Sequence, residues 1–181
     1  TGLTSIKIPE SVTEMGHSVF YGCVNLKEVT LSSGVGTINT GVFRDCQSLE
    51  TITFSKNVTK VDFAALCNCS NLKSVTFENP KCKIADAEYT ICNSHDFDTE
   101  ENVFNGTIYG YENSTAQAYA EKYSRKFVAL EGKPAIEIID SGECGVMEED
   151  GVSWMFDSEG TLTISGAWGS MYFPGINIKK I

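Results

Sequence analysis

Apolar residues return along the first half of the chain with one fixed period. Leu3, Leu26, Leu49 and Leu72 stand 23 residues apart. In the same register lie Ile6, Val29, Ile52 and Val75, and then Ile8, Leu31, Phe54 and Phe77. Later columns hold Met15, Ile38, Val61 and Ile84, then Phe20, Phe43, Leu66 and Tyr89, and last Cys23, Cys46, Cys69 and Cys92. Within each unit, Leu-x-x-Ile-x-Ile places alternate side chains on one side of a short strand. Pro9, Gly34, Asn57 and Asn79 fall between the columns and supply turns. A single coil of this length has an apolar face and nothing of its own to bury it against. Stacking coils at ~4.8 Å turns every column into a continuous internal ladder. The period therefore predicts a solenoid that is mainly β. Parallel strands run along one side, with irregular or short helical turns on the other.

The unit Leu26-Lys-Glu-Val-Thr-Leu31, followed by Val35, Ile38, Phe43 and Cys46, closely resembles the BspA-like leucine-rich repeat of bacterial surface proteins. Pro9 and Gly16 match that repeat in the first copy; Ser32, Ser55, Asn39 and Asp62 replace them later. Val19, Val42 and Ala65 hold the small position before the aromatic. The resemblance covers residues 1 to about 94, read as four repeats. It implies a non-enzymatic binding or adhesion module of a secreted or surface-anchored bacterial protein, with no catalytic residues. An extracellular or cell-surface location follows from the same resemblance.

Past residue 94 the pattern fades into an acidic insertion, His95-Asp-Phe-Asp-Thr-Glu-Glu-Asn102. Residues 95–130 then carry the chemistry of a cap, since an exposed end of the ladder must be covered. Ile108-Tyr109 gives a last strand, and Ser114 with Gln117 forms a capping box. Ala116, Tyr119, Ala120 and Tyr123 make one apolar helical stripe, and Lys122, Arg125 and Lys126 sit where the helix dipole favours cations. Phe127 to Leu130 closes as a strand, and the segment resembles the C-terminal cap of BspA-like arrays. Residues 131–140 read as a linker, and 141–181 as a small, truncated β module. Its core is a hairpin of Trp154–Phe156 and Thr161–Ile164 joined through Asp157–Gly160. The opening Thr1-Gly2-Leu3 and the closing Ile176–Ile181 read as cuts inside a longer protein.

Charge and candidate chemistry add mainly exclusions. Net charge is −10. Residues 1–94 hold 8 Lys/Arg against 9 Asp/Glu, and residues 95–181 hold 6 against 15. Neither half offers the basic stripe of a nucleic-acid partner, and an anionic membrane would repel the second half. No apolar run approaches the ~20 residues of a membrane span. Gly16-His17-Ser18 opens like a nucleophile elbow, but Phe20 stands where that motif needs Gly. Of the seven Cys, the column Cys23, Cys46, Cys69 and Cys92 reads as buried thiols, and Cys67 as variable and outward. Neighbouring rungs direct their Cβ vectors in parallel, which suits disulfides poorly. The carboxylates of 96–101 lack the spacing of a calcium loop and read as a solvated acidic segment. The sequons at Asn57, Asn68, Asn105 and Asn113 read as coincidences of Asn-rich turns in a bacterial setting. No cofactor and no metal site is expected.

The remaining candidate is a face. Ser5, Lys7, Glu28, Thr30, Thr51, Thr53, Ser74 and Thr76 alternate with the buried columns and point outward. Small hydroxyls dominate this face, and no Trp or Tyr is expected in the row Thr30-Thr53-Thr76 to stack on a sugar. It suits shape-based contact with a macromolecule, a host matrix protein or another surface protein, better than a small-molecule pocket. A passive spacer and the non-catalytic part of a larger secreted hydrolase are the alternatives. Organisation is testable: residues 1–130 should resist limited proteolysis as one unit, with first cuts near Lys133 or within 95–102. A chain cut first inside a repeat would contradict the four-rung stack.

Overall fold

The computed structural model describes residues 2–96 and 98–132, together with the backbone of four later strands. The chain divides into two compact units, Thr1–Pro134 and Ala135–Ile181.

The first unit is a β-solenoid. Strands β1 (Ser5–Lys7), β2 (Glu28–Thr30), β4 (Thr51–Phe54) and β6 (Ser74–Phe77) each occupy the Leu-x-x-Ile-x-Ile segment of a rung. β1 pairs parallel with β2, and β4 with β6, always rung to rung at the repeat offset: Ile6 faces Val29, and Ile52 faces Val75. Opposite this ladder runs a second one, of β3 (Thr37–Ile38), β5 (Lys60–Val61) and β7 (Lys83–Ile84). From the sequence, irregular or short helical turns are expected there. Its strands are two residues long, and each carries one member of the column Ile38, Val61 and Ile84, the first two fully buried and Ile84 half-buried.

The core lies between the ladders. Leu26, Leu49 and Leu72, Ile38 and Val61, and Phe43 and Leu66 are all fully or almost fully buried. Phe20 and Phe43 stack at 5.5 Å with 6° between their planes, and Phe54 meets Phe77 at 5.1 Å. Asparagines knit the turns: Asn39 Nδ2 donates to the Met15 carbonyl at 2.6 Å, and Asn57 Nδ2 to that of Ser33 at 2.8 Å.

Two backbone kinks recur with the period. Ser18, Gly41 and Ala64 have φ of 56°, 65° and 52°, and Gly22, Asp45 and Asn68 have φ of 66°, 59° and 59°. The second set contains the three residue types that best tolerate this left-handed conformation. At the fourth rung the corresponding residues are Ala87, with φ −144°, and Ile91, with φ −132°. A β-branched side chain at Ile91 is incompatible with the kink. The chain instead makes a 3-10 turn at Glu88–Thr90 and advances by two residues before rejoining the stack.

That slip corrects two columns. Ile91, not Tyr89, bridges to Leu66 and is fully buried, while Tyr89 is half-buried and stacks on His95 at 4.9 Å. Cys92 leaves the cysteine column and joins a small separate cluster with Ala64 and Cys67. Asn93 is buried just beyond it: Nδ2 donates to the carbonyls of Cys69 and Leu72, each at 2.9 Å, and Oδ1 accepts from Asn105 N at 2.7 Å.

The acidic insertion is a hairpin of β8 (Ser94–His95) and β9 (Asn102–Val103). The cap follows as strand β10 (Thr107–Gly110), helix α1 (Thr115–Lys122) and strand β11 (Lys126–Ala129). β10 adds to β6, and β11 to β10, both parallel. Ser114 Oγ accepts from Gln117 N at 3.2 Å, one arm of the expected capping box, while Gln117 Oε1 accepts at 2.7 Å from the N–H of Asn113, one residue before the cap. Ala116, Tyr119 and Ala120 are buried, and Gly110 lets the helix settle on the sheet, since a Cβ there would lie 3.0 Å from that of Ala116. Tyr119 Oη donates to the Ala87 carbonyl at 2.9 Å and ties the helix to the rerouted rung.

The second unit is an antiparallel sheet of β12 (Ile138–Cys144), β13 (Val152–Asp157), β14 (Thr161–Trp168) and β15 (Met171–Lys179), in that order. The predicted hairpin is β13–β14, with Trp154 opposite Ile164. Its turn, 158–160, lies outside the described residues. β12 begins at Ile138, inside the stretch read as a linker.

Leu49 lies in a middle rung with no exposed surface. Leu49→Ala should cost ~2–5 kcal/mol, because rungs on both sides hold the cavity open. Urea unfolding checks this; a loss below ~1 kcal/mol would show that the stack collapses into the gap.

Candidate functional site

The eight residues expected on one face are brought together by the strand register. Ser5 faces Glu28, and Lys7 faces Thr30; Thr51 faces Ser74, and Thr53 faces Thr76. β2 lies beside β4, so the two halves form one surface. Ser5, Lys7, Glu28, Thr30, Thr51 and Thr53 are exposed, whereas Ser74 and Thr76 are half-buried. Inward neighbours Ile52, Phe54, Val75 and Phe77 fix the outward side by strict alternation.

The rows do not stop at the fourth rung. Thr107 lies opposite Ser74 and Tyr109 opposite Thr76, and beyond them come Lys126 and Val128. The hydroxyl row therefore reads Thr30, Thr53, Thr76, Tyr109, Val128, which corrects the expectation of a row without tyrosine. Tyr109 is half-buried and Val128 is 38% exposed. Ile108-Tyr109 carries a strand signal in the sequence, but the insertion of 95–102 breaks the period and hides its register. A separate exposed apolar set, Val19, Tyr21 and Phe63, lies on the turn segments, where the Arg44 guanidinium sits 5.8 Å over the Tyr21 ring.

His17 is exposed, as its variable column implies. In the acidic hairpin, Asp96 Oδ1 accepts from Asp98 N at 2.8 Å and Thr99 N at 3.3 Å, which holds its carboxyl below the usual range. Among the described residues, no three His, Cys, Asp or Glu side chains come together as a metal site. No helix among the described residues is long and apolar enough to cross a membrane.

The thiols are arranged more specifically than one column. Cys46 Sγ donates to the Phe20 carbonyl and Cys69 Sγ to that of Phe43, each at 3.2 Å. Burial pushes Cys46 up to about 12, and does the same for Cys82. Cys67, expected outward, is fully buried, because the slip closes the fourth rung over it. Cys67 and Cys92 lie together in the small buried cluster; their mutual interaction raises Cys67, with burial adding to it, and lowers Cys92, with burial opposing it.

Parallel rungs with leucine and phenylalanine ladders, closed by a helix-bearing cap, define a leucine-rich-repeat solenoid. The chain belongs to the BspA type leucine rich repeat family, whose repeat-region model matches six copies over residues 1–116. No curated protein is similar enough to the chain to count as a match. A leucine-rich repeat protein from Bacteroides ovatus shares the fold with a TM-score of 0.52 at 20% identity, over 72% of this chain and 31% of that one. A leucine rich cell surface protein from Faecalibacterium prausnitzii gives 0.44 at 20% identity, over 72% and 27%. The pneumococcal vaccine antigen PcpA gives 0.34 at 18%, over 71% and 42%. This chain thus spans less than half the length of each.

The buried thiols give a pH signature. Unfolded, Cys46 ionises near its ordinary value of 9.0; folded, it keeps its proton to about 12. The unfolded chain loses the proton first, so this contribution is complete below the lower value and falls away as pH rises across the window. Urea unfolding at increasing pH should show that decline, and Cys46→Ala should make it shallower. An unchanged slope in the variant would mean that the thiol does not carry the effect.

Proposed function

We propose that this chain is a binding module of an extracellular bacterial surface protein, and that its strand face carries contact with a protein partner. Membership of the BspA type family supports a binding or structural role. The surface location draws on the family and on the description of the Faecalibacterium prausnitzii protein as a cell surface protein.

The observation that carries the reading is the register linking Thr53, Thr76, Tyr109 and Val128 in one row. Small hydroxyls leave the rungs flat and sterically open, and the row ends on an aromatic and an apolar side chain. Tyrosine is a frequent energetic anchor at protein interfaces, because it buries a large rigid ring and keeps a polar tip. A flat face with an anchor at one end suits a protein surface better than a small solute, which needs a concave site. The spacer reading rests on Thr being a good solvent-facing strand residue.

The test is binding of the chain to immobilised host matrix proteins, for wild type, for Tyr109→Ser, and for Thr30→Arg, Thr53→Arg and Thr76→Arg combined. Tyr109→Ser should weaken binding by on the order of tenfold or more. The triple variant should abolish it, with circular dichroism unchanged. Undiminished binding by a folded triple variant excludes this face. A wild type that binds no matrix protein favours the spacer.

A further inference from the structure

We propose that Cys67 and Cys92 form a disulfide that locks the last rung, using an external disulfide of the low-molecular-weight or oxidoreductase class as oxidant. The geometry separates this pair from the other thiols. In the column Cys23, Cys46 and Cys69, each donor described points at a carbonyl: Cys46 at Phe20 and Cys69 at Phe43. Cys67 instead packs with Cys92, apart from that column. It directly follows Leu66, and Cys92 directly follows Ile91, the two residues joined by a parallel bridge. The two cysteines thus sit one residue past a parallel pair, where the strand spacing of ~4.8 Å falls within the Cα separation that a disulfide spans. On regular rungs the parallel Cβ vectors oppose a bond. Here the regularity is broken on both sides, by the left-handed Asn68 at φ 59° and by the 3-10 turn ending at Thr90.

The slip of two residues is what makes the encounter. At the plain repeat offset Cys67 would face Thr90; after the slip it faces Cys92, and with Ala64 the two make a cluster apart from the main core. In the closed rung the Cys92 sulfur accepts from Asn68 N at 3.4 Å and donates to the Tyr89 carbonyl at 3.8 Å. The thiolate is the form that attacks a disulfide, and before the rung closes the Cys92 thiol is open to solvent and can ionise. Cys92 would attack the external disulfide R–S–S–R and expel one thiolate, which takes up the proton Cys92 lost. Cys67, after losing its proton, would attack the Cys92 sulfur of the mixed disulfide and expel the second. Two protein thiols are oxidised by two electrons, and one external disulfide is reduced to two thiols. Both sulfurs are fully buried in the finished structure, so the exchange belongs to folding, before the rung closes.

The test refolds the full chain with oxidised and reduced glutathione, denatures it, blocks remaining thiols with N-ethylmaleimide and maps tryptic peptides. The expected product joins peptide 61–73 to peptide 84–122, lighter than their sum by two hydrogens. Fragmentation must place the bond at Cys67, because Cys69 shares its peptide. Cys23, Cys46, Cys69 and Cys82 should carry the label. The oxidised chain should melt above the reduced one, and Cys67→Ala should lose both the linkage and the shift. Labelled Cys67 and Cys92 in refolded wild type would overturn the proposal, as would a bond from either to another cysteine.

Discussion

The structure depends on one constraint: a coil of 23 residues cannot bury its own apolar side, so each rung is stable only through the next. The parallel strand pairings of the solenoid, from Ile6 with Val29 to Ile108 with Val75, are made between rungs. Burial follows the same rule. The leucine column is complete where a rung lies on either side, as at Leu49, whereas Leu3 is only half-buried. Stability of this kind is a sum of neighbour terms. Such a framework holds side chains on its outer faces in fixed rows at strand spacing, and that is what makes an extended face available.

How the stack ends is decided by the same geometry. A left-handed residue is needed twice per rung, and the fourth rung supplies Ala87 and Ile91 where the kinks should fall. The chain reroutes, Asn93 takes up the carbonyls left at the end, and the helix α1 is tied down by Tyr119 and by the Lys122 and Tyr123 contacts to Asp86. The amino-group and phenol hydrogen bonds hold the Asp86 carboxyl below its usual range. Asn93 and Tyr119 satisfy backbone carbonyls where the rung is rerouted, as buried backbone groups require, whereas the Asp86 contacts lie on the exposed surface.

Most of this was legible in the residues. A column repeated three or four times is strong evidence, so the rungs, the leucine and phenylalanine ladders and the outward set from Ser5 to Thr76 could be read directly. The capping residues Ser114 and Gln117 were readable because their signal is local. The errors lie where the period breaks. Tyr89 and Cys92 sat in their columns by counting alone, and counting cannot detect a slip. The warning was Ile91, a β-branched residue at a position held elsewhere by Gly22, Asp45 and Asn68. The same break concealed Tyr109 in the hydroxyl row, so the part of the candidate face with the most chemistry was the part missed.

The failed kink at Ile91 also bears on how such chains change in length. A copied repeat inserted upstream keeps both kinks in phase and meets the same terminal cassette, so duplication adds a rung without disturbing the end. An insertion of any other size displaces the kinks and must be absorbed in a turn. Lengthening is therefore quantised, and the segment from Ala87 onward acts as a full stop that can follow a sentence of any number of rungs.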